Sequence, residues 1–174
     1  MKKYAVPALV IAIILAASGL ASATHISAGY VSRDGGIHLT LGGRYDLGRG
    51  SSVEGSYTML PHGFEAAARY KIPMMRGTIV AGPVFEGRLI GYNPGYTQTI
   101  AGGVFAEKVG VTGLGLYGSL TFRQHLNSPV SGLVAGVGAR MSLNSPLFVG
   151  AEATMGLSGG VAGTEVAFTV GYTF

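Results

Sequence analysis

From residue 24 onward, apolar and polar positions alternate along the chain. Between Ile37 and Leu47, the residues Ile37, Leu39, Leu41, Tyr45 and Leu47 share one parity with Gly43, while His38, Thr40, Arg44 and Asp46 share the other with Gly42. Successive side chains of an extended strand point to opposite faces, so a period of two gives one apolar and one polar face. The same two-row reading predicts ten strands, at 25–33, 36–47, 52–60, 63–72, 77–90, 97–107, 111–123, 130–143, 146–157 and 164–174. Turn residues separate them, among them Asp34-Gly35-Gly36, Gly48-Arg49-Gly50, Pro61-His62-Gly63, Asn93-Pro94-Gly95, Asn127-Ser128-Pro129 and Gly159-Gly160.

Charge gives an independent check on the two rows. Arg44 and Asp46 share a parity, as do Glu65, Arg69 and Lys71, and Glu86 and Arg88. The row rich in large apolar residues carries no charge in any predicted strand. The polar row holds Arg33, Arg44, Arg69, Lys71, Arg88, Arg123 and Arg140 against Asp46, Glu54, Glu65, Glu86, Glu107, Glu152 and Glu165; Asp34, Arg49, Arg76 and Lys108 fall at turns. Periodicity alone does not say which row meets which solvent.

Composition narrows the class. With 11% charged and 48% hydrophobic residues in 174, the chain is far from the composition of disorder, and its surface is short of charge for a soluble domain. It has no Cys, which removes disulfide frameworks, thiol nucleophiles and thiolate zinc sites. No Lys/Arg cluster is present to neutralise a row of phosphates, so no nucleic-acid partner is expected. Lys2 and Lys3 precede an uncharged run from Tyr4 to Ala23 that ends Ala21-Ser22-Ala23, the three parts of a secretory signal peptide. The competing reading is an uncleaved anchor, but Ser18-Gly19 dilutes the run and the small-residue site is well placed. The expected division is therefore a signal peptide at 1–23, removed near Ala23, and one domain at 24–174. No later stretch is apolar enough for a membrane helix.

The chain ends in a strand in which Val166, Phe168, Val170, Tyr172 and Phe174 alternate up to a terminal aromatic residue. Together with the export signal, this resembles the C-terminal signature of small Gram-negative outer-membrane β-barrel proteins. The resemblance implies export through the Sec translocon, reading of those five residues by the barrel-assembly machinery, and a place among outer-membrane lipids. It orients the rows, with apolar outward and charged inward. In hydrocarbon every backbone polar group must be paired within the protein, so strands cross only as a closed barrel.

The expected fold is thus all-β, a closed antiparallel up-and-down transmembrane barrel, with ten strands preferred and eight, with longer loops, as the alternative. Tyr45, Tyr70, Tyr172 and Phe174 are expected near periplasmic strand ends, and Tyr30, Phe64, Phe85 and Phe122 near outer ends, as interface girdles. Pro83 has no N–H for a ladder and predicts a bulge or break. Phe105 falls on an inward row, which weakens the sixth strand. The longest outer connection is expected near 91–97.

The seven-against-seven balance suggests a cross-linked polar lumen more than a filter of one sign. Inward Gly42, Ala67, Gly82, Gly115, Gly136, Gly138, Gly150 and Gly171 leave room, which serves curvature, long arginines or a narrow water passage. Short motifs add little. Gly113-Leu114-Gly115-Leu116-Tyr117-Gly118 fits a dinucleotide fingerprint only literally, because alternation continues where a helix should open. The four histidines are too scattered for a metal cluster. His25-Ile26-Ser27 has the spacing of some outer-membrane lipid deacylases, but sits beside the cleavage site.

No catalytic residue, cofactor or metal is expected. The leading expectation is a structural or membrane-associated outer-membrane barrel. The alternatives are a narrow passive channel, a lipid-modifying enzyme using His25 and Ser27, or a secreted or periplasmic barrel binding an apolar ligand.

Overall fold

In the computed structural model, which describes residues 24–33, 35–110, 113–144, 146–161 and 163–174, ten strands close into one antiparallel barrel. They are β1 (Thr24–Arg33), β2 (Gly36–Asp46), β3 (Ser52–Leu60), β4 (Gly63–Lys71), β5 (Ile79–Tyr92), β6 (Tyr96–Val109), β7 (Leu114–His125), β8 (Ser131–Asn144), β9 (Leu147–Gly156) and β10 (Thr164–Thr173). Each pairs with its neighbour in sequence, and β1 closes the circle on β10 through a ladder from His25↔Thr173 to Ser32↔Val166. Closure leaves no edge, which is the condition for strands to lie in an apolar solvent. The barrel has ten strands, so the eight-stranded alternative is set aside. The expected signal segment and its boundary at Ala23 lie outside the described residues.

Three expectations need correction. The connection near 91–97 is not the longest at its end of the barrel. Tyr92 donates its N–H to the Gly95 carbonyl at 2.7 Å, and the ladder runs up to Gly91↔Tyr96, leaving only Asn93, Pro94 and Gly95 between strands. The connection at 157–163 is longer. Lys108 is not in a turn. β6 continues to Val109, and Lys108 stands opposite Ile79 as an exposed residue of the outward row.

Pro83 neither makes a bulge in β5 nor interrupts it. Its ladder with β6 passes through Pro83↔Val104 without a shift; a shift occurs instead between Ser142 and Asn144 on β8. In an antiparallel strand a residue's N–H and C=O point to the same side. The Pro83 carbonyl accepts from Ile72 N–H at 3.1 Å, so the missing donor faces β4, whose named ladder ends next door at Lys71↔Val84. The proline forgoes one bond, the return bond to the Ile72 carbonyl, just past the last rung of that ladder.

The rows are sorted by solvent as the alternation requires. Outward residues such as Ile26, Tyr30, Ile37, Ile100, Val104, Val137, Phe168 and Val170 are exposed, while Thr40, Glu65, Lys71, Glu86 and Thr121 are buried inside. A soluble barrel with an apolar ligand needs the reverse arrangement. Inside, β5, β6 and β8 also contribute buried apolar side chains, Val84, Ala101, Phe105 and Val134. Phe105 therefore belongs to a complete fourteen-residue strand, and its inward position marks a packing site.

Candidate functional site

Each strand delivers its charges to the lumen because they share the inward parity, and the lumen is narrow enough for opposite walls to meet. Near the end opposite the termini, Arg33 of β1 pairs with Glu65 of β4, and with Glu165 of β10 at 2.7 Å. Arg88 of β5 reaches Glu65 and Glu165 at 3.2 Å and Glu86 at 3.3 Å, and Arg123 of β7 joins Glu86 at 3.0 Å. At mid-height Arg69 of β4 spans to Glu86 at 3.0 Å, Glu54 at 3.8 Å and Glu152 of β9 at 3.6 Å. Toward the termini, Lys71 binds Glu54 at 2.9 Å and Glu107 at 2.6 Å, and Arg44 binds Asp46, Glu54 and Glu107 at 2.9, 3.6 and 3.7 Å.

Followed from partner to partner, these pairs form one connected chain from Arg33 to Asp46. Arg88–Glu165 and Arg69–Glu152 join strands on opposite walls of the barrel. Arg140, the remaining inward cation, lies over the Phe148 ring at 4.7 Å. Removing any member leaves its partners charged in a confined, low-dielectric space, which is why such networks hold one geometry.

Aromatic residues of the inward rows complete the filling. Tyr117 donates its hydroxyl to Glu152 at 3.2 Å, and the Lys71 ammonium stands 5.6 Å from the Phe105 ring and 5.7 Å from that of Tyr117. Two of the small inward residues make this possible. A Cβ on Gly138 would lie 2.3 Å from the Tyr117 ring, and one on Gly171 would lie 2.2 Å from Phe148. Each glycine is the cross-strand partner of the ring that covers it, Tyr117↔Gly138 and Phe148↔Gly171. Reading charges alone misses Tyr117 and Phe148 as lumen residues; their parity with Gly115 and Glu152 is the signal that locates them.

A cavity of about 220 Å³ remains in the lumen, lined mostly by β1–β4 and β8–β10 and also by Glu86 and Arg88 of β5 and Tyr117 of β7. His25, Ser27, Arg44, Arg140 and Glu152 are among its lining residues. The His25 Nδ1 and Thr173 Oγ1 lie 2.9 Å apart, within hydrogen-bonding distance, and the His25 ring meets Phe148 edge-on at 5.7 Å. Both His25 and Ser27 thus face the lumen rather than the outer face of the barrel. Where a dinucleotide fingerprint would open a helix, Leu114–His125 is strand. Among the described residues no group of three His, Asp or Glu side chains is placed to hold a metal ion.

On the outside, Tyr30 and Phe64 stand toward the end opposite the termini, and Tyr45 and Tyr70 toward the end that carries them. Phe85 does not stand at a strand end. β5 starts at Ile79, which puts Phe85 mid-strand and directly opposite Tyr70. Phe122 belongs to the same cross-strand row, through Gly102, but nearer the end of its own strand. Phe168, Val170, Tyr172 and Phe174 are exposed on the outer face beside Val166, and Tyr172 and Phe174 pack ring to ring at 4.9 Å.

No protein-family model and no curated protein matches the sequence. Solved structures do match. The chain is similar to the outer-membrane protein Omp33 of Acinetobacter baumannii at 9% identity, with a TM-score of 0.46, over 87% of this chain and 97% of that one. It is similar to Ail of Yersinia pestis in a phospholipid bilayer nanodisc at 16% identity, with a TM-score of 0.48, over 88% and 100%. It is similar to the translocator domain of the autotransporter NalP from Neisseria meningitidis at 14% identity, with a TM-score of 0.48, over 98% and 99%. These neighbours are outer-membrane β-barrels of Gram-negative bacteria.

Proposed function

We propose that this chain is an integral barrel of the bacterial outer membrane, with a lumen closed by its own charge network and a structural, non-catalytic role. The carrying observation is the sorting of the two rows. Apolar side chains cover the outside of a closed barrel, while cations and carboxylates are bridged to one another across its interior. A barrel of about eight strands is just wide enough for side chains to fill, and aqueous pores need about 16. Export through the Sec translocon, insertion by the barrel-assembly machinery at the Val166–Phe174 strand, and residence among outer-membrane lipids belong to this reading. The short connections at both ends suit a membrane component without a receptor surface.

The test is fractionation followed by electrophoresis with and without boiling, and then ion conductance in a planar bilayer. The expected results are a protein in the outer-membrane pellet, a mobility shift on boiling and no steady current. A soluble protein without the shift contradicts the reading. The cavity of about 220 Å³ supports a second reading, a narrow passage for water or small solutes, and a small steady current that rises in Arg69→Ala would favour it.

A further inference from the structure

Lumen charges are matched in number, but those outside the lumen are not. Among the described residues the side-chain charges outside it are Arg49, Arg76 and Lys108, all cationic and all exposed. All three stand at the end of the barrel that carries the termini. Arg49 lies in the β2–β3 turn, Arg76 in the connection from β4 to β5, and Lys108 near the end of β6, opposite Ile79. The Arg76 guanidinium donates to the Arg49 backbone carbonyl, which fastens two of the connections together. The carboxylates that neighbour Arg49 and Lys108 along the chain are engaged inside, Asp46 with Arg44 and Glu107 with Lys71. Exposed Leu47, Met74, Met75 and Ile79 flank the cations on this rim.

We infer that this rim, across β2–β6, binds the headgroups of anionic phospholipids in the membrane leaflet on the side of the termini. The inference rests on the membrane reading above. Guanidinium groups donate in pairs to phosphate oxygens, and an ammonium adds a point charge at the same level. The exposed methionines and Ile79 place that level at the boundary between headgroup and hydrocarbon. Higher on the same arc the outer face carries an apolar groove of about 600 Å³, floored by Ala68, Gly87 and Gly102 and walled by Tyr70, Phe85 and Phe122. A diester held at the rim can lay an acyl chain along that arc. A lipid therefore fits this surface better than a soluble anion.

The experiment is native mass spectrometry of the protein purified from membranes in detergent. Phosphatidylglycerol and phosphatidylethanolamine of matched chains are added, with inorganic phosphate as a soluble competitor. Each Lys or Arg near an anionic bilayer surface adds about a fivefold preference. Retention of phosphatidylglycerol over phosphatidylethanolamine is expected, unaffected by phosphate, and lost in R49Q/R76Q/K108Q although that variant keeps its mobility shift on boiling. Should the triple variant fail to fold, K108Q alone must lower the preference about fivefold and K108R must restore it. Equal retention of the two lipids, a preference surviving in the variants, or displacement by phosphate overturns the inference. The wild-type boiling shift separates that outcome from failure of the membrane reading, because only the latter abolishes the shift.

Discussion

Lys71 on β4 and Glu107 on β6 meet at 2.6 Å by reaching over β5, the strand that lies between them. The same ammonium binds Glu54 on β3 at 2.9 Å. One side chain thus ties three strands on the inside of the wall, where the backbone ladder ties only neighbours. The lumen is an interior held by ions where a soluble barrel would use apolar packing.

Glu86 is the carboxylate on which this network turns, since Arg69, Arg88 and Arg123 all bind it and its side chain is only 5% exposed. Glu86→Gln keeps the shape and leaves three guanidinium groups facing one another. A loss of about 3–5 kcal/mol is expected, the cost of breaking a buried pair, read from the urea midpoint in a fixed lipid. Glu107→Gln, at a carboxylate with 20% side-chain exposure, is expected to cost less.

Gly138 gives a steric test. Gly138→Ala drives a methyl into the Tyr117 ring and is expected to cost about 1–3 kcal/mol as overpacking. Combining it with Tyr117→Ser is expected to relieve part of that loss. Gly87→Ala, where an added Cβ meets nothing within 4 Å, is expected to leave the urea midpoint nearly unchanged.

The outer face is tested by charge. Val137 is 63% exposed in the middle of β8. Val137→Arg is expected to cost about 2–4 kcal/mol in a bilayer, as for arginine near the midplane of a barrel wall. A barrel surrounded by water would show almost no change.

The terminal strand is tested in cells. Phe174→Ala is expected to lower the folded, boil-shifted fraction at steady state while refolding of the purified chain into detergent proceeds normally. Equal loss in both settings would assign Phe174 to stability rather than to recognition during assembly.

Much of this was legible in the sequence because a barrel wall obeys a period of two. The parity of Arg44 with Asp46, and of Glu65 with Arg69 and Lys71, locates the lumen side chains before any coordinate is known. Parity does not say how far a strand continues past a turn. Lys108 belongs to a strand because β6 gains its last rungs from Ile79 on β5 and Leu116 on β7, and Phe85 falls mid-strand because β5 runs on to Tyr92. Nor does parity say where a ladder ends, which is what puts Pro83 just past the last β4–β5 rung. Which carboxylate meets which guanidinium depends on strand stagger around the barrel, a relation between distant residues that no local window contains. The exposed cations of the rim, two in connections and one at the end of β6, are far apart in sequence until closure brings them to one end.

The most direct measurement uses the absence of Cys from the chain. Single cysteines at Ser119, Leu120, Thr121 and Phe122 of β7, each spin-labelled in reconstituted vesicles, report whether a side chain meets hydrocarbon. Leu120 and Phe122 are predicted to relax strongly with dissolved oxygen, and Ser119 and Thr121, which face the lumen, weakly. Equal relaxation at all four positions, or strong relaxation at Ser119 and Thr121, would contradict the account.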